Sequence, residues 1–192
     1  MSVVMCYAKK EKAVVMADSL WTDISGNENN IDAERKVFEI SIDVICGIAG
    51  NSMIYKVYDK LLCEFMFGAH FFDEVLEYID LNREELCSLI PTGNVGCMII
   101  AGFTDKSRSD IKVATLYFEH GSIKGKIECN EYPRIAIVLP PDIHEIKETD
   151  ITKYVNDACG DVNIGIETLV YECIEKSKYC GGKIRSLSLP KW

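Results

Sequence analysis

The sequence has little with which to bind a metal. It contains three histidines, His70, His120 and His144, and none stands at a ligand spacing from another. There is no C-x-x-C pair among its nine cysteines, whereas zinc sites draw on clustered Cys and His ligands. The expectation is therefore no metal and no cofactor. There is also no block of Lys and Arg: 21 basic residues stand against 30 acidic ones, for a net charge of −9. That balance argues against nucleic acid or an anionic membrane surface as a partner. No apolar run approaches the roughly 20 residues of a membrane span, and no basic start followed by an apolar core suggests a signal peptide. The cysteines are then expected to be reduced, mostly buried thiols in a cytoplasmic protein. With no repeat, linker or low-complexity tract, residues 1–192 are read as a single domain, long enough to bury a sizeable core.

What is present is a block pattern of strands and helices. "SVVMCYA" and "AVVMADS" flank the charged turn "KKEK", so residues 2–8 and 13–18 form a β-hairpin that enters a sheet at the second residue. Residues 20–35, "LWTDISGNENNIDAER", are polar and turn-rich and read as a loop with irregular strand. "KVFEI" resumes a strand, with Lys36, Phe38 and Ile40 on one face and Val37 and Glu39 on the other. "SIDV" turns the chain into "VICGIAG", a buried strand ending in glycine.

Helical periodicity begins at residues 52–66, where Met53, Ile54, Val57, Tyr58, Leu61, Leu62 and Phe65 repeat at three and four and Ser52 is placed to cap. A second helix is expected over 72–89, ended by "PTGN". Strands follow at 95–103, 111–119, 122–129 and 134–140. A helical region ends in a helix over 161–179, with Ile164, Ile166, Leu169, Val170, Cys173 and Ile174 on one side and "CGG" as its C-cap. "KIRSLSL" is a last strand. Clustered strands and paired helices argue against alternating βαβ units. They fit an α+β fold of two stacked sheets with helix pairs outside.

One constellation carries chemistry. Asp18 follows Ser2 by sixteen positions and ends an apolar strand, Lys36 starts the next strand, and Gly50 ends the strand after that, just before a helix. A serine hydroxyl is a weak nucleophile and needs a base. A serine at a chain's N-terminus carries one, its own α-amine, with a reference pKa of about 8. A nearby Lys⁺ lowers that pKa by like-charge repulsion, and an Asp carboxylate can hold the lysine. A backbone N–H at a glycine turn can stabilise the oxyanion. Serine after Met normally permits removal of Met1, which would free the Ser2 amine.

The hairpin, "VVMADS", "ERKVFEI" and "CGIAGNS" together resemble the first fifty residues of proteasome β subunits and the HslV peptidase, members of the N-terminal-nucleophile hydrolases. The resemblance implies a four-layer αββα sandwich and hydrolysis of peptide or amide bonds through an acyl-enzyme. On the family's pattern Ser2 matches the nucleophile, Asp18 the acidic residue, Lys36 the lysine and Gly50 the oxyanion glycine. Thr22 falls where substrate backbone is bound as an added strand, and Ile48 and Ser52 fall where the side-chain pocket is lined. The resemblance also implies a homo-oligomer, possibly a ring, with any ATPase partner unknown.

The sequence departs from the pattern at two places. A Gly-Ser-Gly motif appears as "VLPPD", where Leu139, Pro140 and Pro141 remove the serine. Near the C-terminus "SKYCGG" puts Ser177 in the position of an Asp and Cys180 in that of a Ser. Two other readings stand beside the peptidase. One is a catalytically inactive homologue serving as an oligomeric scaffold or binding module, and the other is a cysteine-dependent redox or metal protein.

Overall fold

The computed structural model describes residues 2–20, 36–127 and 131–190. Its opening element explains why a chain would commit its first residues to a sheet. Strands β1 (Val4–Ala8) and β2 (Ala13–Ala17) form a hairpin in which every strand residue is buried and only the turn is exposed. The alternation of a strand sends its residues to two different interiors. Val4, Cys6, Ala8, Ala13, Val15 and Ala17 face a second sheet. Met5, Tyr7, Val14 and Met16 face a pair of helices. Neither face of the hairpin meets solvent, and both strands are central in their sheet.

The second sheet begins with β3 (Val37–Ser41) and β4 (Val44–Gly50). Helices α1 (Ile54–Phe65), α2 (Phe72–Leu81) and α3 (Arg83–Ser88) follow. Then come β5 (Val95–Phe103), β6 (Ile111–Glu119), β7 (Ser122–Ile127) and β8 (Arg134–Val138). Helices α4 (Glu148–Asp157) and α5 (Val162–Lys176) and strand β9 (Arg185–Leu189) complete the fold. One sheet has the order β8-β1-β2-β9 and the other β3-β4-β5-β6-β7, and the pairings are antiparallel.

Three apolar clusters separate four layers. Helices α1–α3 bury Ile54, Val57, Leu61, Phe72, Val75 and Leu86 against Ile48, Met98, Ile100 and Phe118 of the five-stranded sheet. The two sheets meet through Val15, Ile45, Ile99 and Val113. The four-stranded sheet meets α4 and α5 through Ile151, Val155, Ile166 and Leu169. Each such side chain contributes about 1.5–3 kcal/mol by leaving water. The architecture is the expected αββα sandwich, an α+β fold.

Several boundaries differ from the sequence reading. Helix α1 starts at Ile54, and the side chain that caps the preceding turn is Asn51, whose Oδ1 accepts from the Met53 N–H at 2.9 Å, rather than Ser52. The helix expected over 72–89 is two. At Asn82 the backbone leaves helical geometry (φ −104°, ψ 21°), and the Asn82 side-chain amide donates to the Tyr78 carbonyl at 2.9 Å. Asparagine competes in this way for helix backbone groups. Strand β8 stops at Val138 rather than 140. Lys36 lies just before β3 rather than in it, and Phe38 packs beside the Tyr58 ring of α1 with centroids 4.3 Å apart.

Helix α5 starts at Val162 behind an N-cap, Asp161, whose Oδ1 accepts from the Ile164 N–H at 3.1 Å. Ile164 itself is exposed rather than on the buried side. The helix ends at Lys176, and the residue after it is extended. "CGG" therefore does not cap it but lies farther on, at the site described next.

Candidate active site

Asp18 stands immediately after β2 and is fully buried. Its Oδ1 accepts from the Val3 N–H at 3.1 Å, which ties the end of β2 to the start of β1. Its Oδ2 accepts from the Leu20 N–H at 3.2 Å and the Gly181 N–H at 3.1 Å. Three backbone donors thus converge on one carboxylate, as a buried charge requires.

Lys36 reaches this carboxylate from the other sheet. Its carbonyl accepts from the Ile48 N–H of β4 at 2.8 Å, which anchors the residue ahead of β3. Its Nζ lies 3.1 and 3.2 Å from the two Asp18 oxygens and donates to Ser2 Oγ at 2.5 Å and to the Leu20 carbonyl. Ser2, Asp18 and Lys36 are 1%, 0% and 0% exposed. Ser2, Asp18 and Lys36, three of the residues that the sequence singles out, are brought into one hydrogen-bonded cluster beside the ends of β1, β2 and β3.

Burial governs their electrostatics. It pushes the Asp18 carboxyl above its ordinary range, against the pull of Lys36 and of the Gly181 and Val3 amides. It pushes the Lys36 ammonium below the usual lysine range, against the pull of Asp18. Each charge offsets part of the desolvation cost of the other, and the backbone donors offset more. Lys36 Nζ stands 2.5 Å from the Ser2 hydroxyl, where a cation can stabilise negative charge developing on Oγ.

Gly50 ends β4 on the five-stranded sheet with φ +87°. A Cβ there would lie 2.4 Å from the Val95 carbonyl oxygen, so the position demands glycine on two counts. Ile48, fully buried, packs in the cluster between the five-stranded sheet and α1. Ser52 is exposed in the turn before α1. Thr22 and Met1 lie outside the described residues.

The C-terminal segment closes the site from behind. Gly181 donates to Asp18, and its carbonyl accepts from the N–H groups of Ser19 at 3.2 Å and Leu20 at 3.0 Å. Ser19 Oγ accepts from the Lys183 N–H at 2.8 Å. Cys180 is buried beside this clasp, and its thiol is pushed up to about 12, first by burial and then by the Asp18 charge. Burial thus disfavours the thiolate, the form in which a cysteine is nucleophilic. Ser177 is also buried, and its Oγ donates at 2.6 Å to Asp142. Asp142 and the Gly181 amide are participants that the sequence reading missed. The only local signal for Asp142 is its place after "VLPP" in the altered motif.

Among the described residues no group of three or more His, Cys, Asp or Glu is arranged to hold a metal ion, and no helix is long and apolar enough to cross a membrane. Six of the eight described cysteines are buried, while Cys63 and Cys159 are exposed.

No protein-family model matches the sequence, and no curated protein matches it significantly. Solved structures do match the fold. BPH of Thiobacillus denitrificans in complex with epoxomicin superposes with a TM-score of 0.60 at 10% identity, over 97% of each chain. A second BPH structure gives 0.58 at 10% identity over 97% of each chain. Eukaryotic HslV from Trypanosoma brucei gives 0.56 at 12% identity, over 97% of this chain and 98% of that one. The fold is thus that of the proteasome-like N-terminal-nucleophile hydrolases. The likeness in architecture to HslV extends over 97% of the chain.

Proposed function

We propose that this protein is a proteasome-like peptidase or amidase whose nucleophile is Ser2 Oγ, exposed for catalysis by removal of Met1. The observation that carries this reading is the 2.5 Å contact between Lys36 Nζ and Ser2 Oγ, with Asp18 holding the lysine from behind. In this mechanism Ser2 Oγ attacks the amide carbonyl while its proton passes to the freed Ser2 amine. Lys36, as a neighbouring cation, keeps that amine unprotonated and donates to Oγ as negative charge develops on it. The Gly50 N–H would stabilise the oxyanion. The amine returns the proton to the departing amine of the substrate, leaving an ester on Ser2 that water then hydrolyses.

The substrate is a peptide or other amide bound near Thr22 and Ser52, with Ile48 in the packing beneath rather than at the surface, and the working particle is a homo-oligomer. Exposed Met66, Phe67 and Leu81 on the helical layer of α1–α3 support the latter, and sedimentation showing only monomer at micromolar concentration would refute it. A second reading, a catalytically silent scaffold, is favoured by one observation: Ser2 is almost fully buried. Epoxomicin, bound by the BPH neighbour, separates the two. Covalent modification of Ser2 in trimmed protein supports the peptidase. Trimmed, folded protein that takes up neither epoxomicin nor a β-lactone supports the scaffold.

A further inference from the structure

We propose that Asp142 is a positioning residue of the Ser2 site, acting through Ser177 and the segment that delivers Gly181 to Asp18. Its effect on chemistry rests on the peptidase reading, while its effect on the segment does not.

Helix α5 ends at Lys176, and the chain turns extended at Ser177, with φ −113° and ψ 132°. Within four residues it must present the Gly181 N–H to Asp18 Oδ2 and the Gly181 carbonyl to the N–H groups of Ser19 and Leu20. Leu20 in turn gives its carbonyl to Lys36 Nζ. The path of residues 177–181 therefore bears on the position of two partners of Lys36, Asp18 and Leu20, and through Lys36 on that of Ser2 Oγ.

Asp142 holds that path at its start. Its Oδ1 accepts from Ser177 Oγ at 2.6 Å and its Oδ2 from the Lys178 N–H at 3.2 Å. With its own hydrogen directed at Asp142, Ser177 Oγ accepts from the Tyr179 N–H at 3.0 Å. Three consecutive residues, Ser177, Lys178 and Tyr179, are thus tied, directly or through one hydroxyl, to a single carboxylate. The carboxylate is itself fixed. It follows Pro140 and Pro141, whose rings restrict the backbone, in a turn closed by the Ile143 N–H on the Pro140 carbonyl at 3.2 Å. The next residue, Ile143, is buried against α4 and α5. Asp142 is exposed, so replacing it leaves no buried charge unpaired, and the substitution tests placement rather than folding.

The experiment uses full-length protein with Met1 removed, as wild type, Asp142→Ala, Asp142→Glu and the exchange Asp142→Ser with Ser177→Asp. Residue-resolved amide hydrogen exchange is measured alongside the rate of Ser2 labelling by a β-lactone. In Asp142→Ala the Gly181 and Leu20 amides are expected to exchange about tenfold faster or more, with β1 and β2 unchanged. Labelling is expected to slow by about 10–100-fold, the usual cost of losing a group that orients a reactive one. The exchange variant, which restores a carboxylate–hydroxyl pair between the two positions, recovers part of both. Unchanged exchange at Gly181 and Leu20 overturns the proposal. Faster exchange there with undiminished labelling overturns its link to the nucleophile. Faster exchange in a protein whose wild type takes no label upholds the positioning of the segment and refutes the peptidase reading instead.

Discussion

Replacing Lys36 by Met keeps most of the side-chain volume and removes the one cation described beside Asp18. The carboxylate then keeps the Val3, Leu20 and Gly181 donors but loses the charge that offsets its burial. Removing one member of a buried ion pair costs about 3–5 kcal/mol. In a chain of this length that corresponds to a fall in Tm of roughly 6–20 °C, at about 2–4 °C per kcal/mol.

The deficit depends on pH, with a definite sign. The Asp18 carboxyl already lies above its ordinary range, and Lys36 is the largest influence pulling it down. Without Lys36 it rises further. A carboxyl whose folded pKa exceeds its unfolded value stabilises the fold as pH falls through the folded value, and that stabilisation is absent above it. The Lys36→Met protein therefore recovers stability on acidification. The lysine acts in the same direction. Its folded pKa is depressed, so the wild-type fold, and not the variant, loses stability as pH falls from the unfolded lysine range to the folded value, and loses no more below it. Urea denaturation at about pH 7.5 and about pH 5 measures both proteins, and the gap between them should narrow toward acid. A gap below about 1 kcal/mol near neutral pH, or one of constant size, would refute the description of Asp18 and Lys36 as a mutually supporting buried pair.

Gly50→Ala should destabilise the protein by about 2 kcal/mol or more, read as a lowered urea midpoint. It combines a left-handed backbone with a Cβ 2.4 Å from the Val95 carbonyl oxygen. Gly165→Ala tests packing against propensity. Helix propensity alone would stabilise α5 by about 1 kcal/mol, but the new Cβ would meet the Val155 backbone of α4 at 2.6 Å, and a net loss of stability is expected in thermal melts. The rate of Ser2 labelling in trimmed protein should rise with pH through the titration of the Ser2 amine. In Lys36→Met the midpoint of that rise should move to higher pH, because the neighbouring positive charge that disfavours the ammonium is gone. An unmoved midpoint would remove Lys36 from the role of depressing the amine pKa.

Much of the architecture was legible because its elements carry local signals. The hairpin at residues 4–17 announces itself through two apolar runs around a charged turn, and α1 through apolar residues at three and four. Ser2, Asp18 and Lys36 could be brought together on paper by spacing and resemblance. What was not legible depends on partners distant in sequence or on competition within one turn. Asn82 breaks a periodic helix because its own side chain takes a backbone carbonyl, which no count of apolar positions registers. "CGG" looked like a helix stop because glycine after a periodic run usually is one. Its use here depends on Asp18, 163 residues away. Asp142 shares a carboxylate–hydroxyl bond with Ser177 across 35 positions, and neither residue alone signals the other. Ile164 is apolar but lies on the solvent face of α5 with Thr168 and Tyr171, while Val162 and Ile166 on either side of it are buried.

The most direct test of the account is the intact mass and peptide map of natively expressed, Met1-trimmed protein after treatment with a fluorophosphonate or β-lactone. The expected result is a single covalent adduct on Ser2, absent from Ser2→Ala and strongly reduced in Lys36→Ala. Folded, trimmed protein that carries no adduct on Ser2 would contradict the assignment of Ser2 as a nucleophile and leave the cluster of Ser2, Asp18 and Lys36 with a structural role alone.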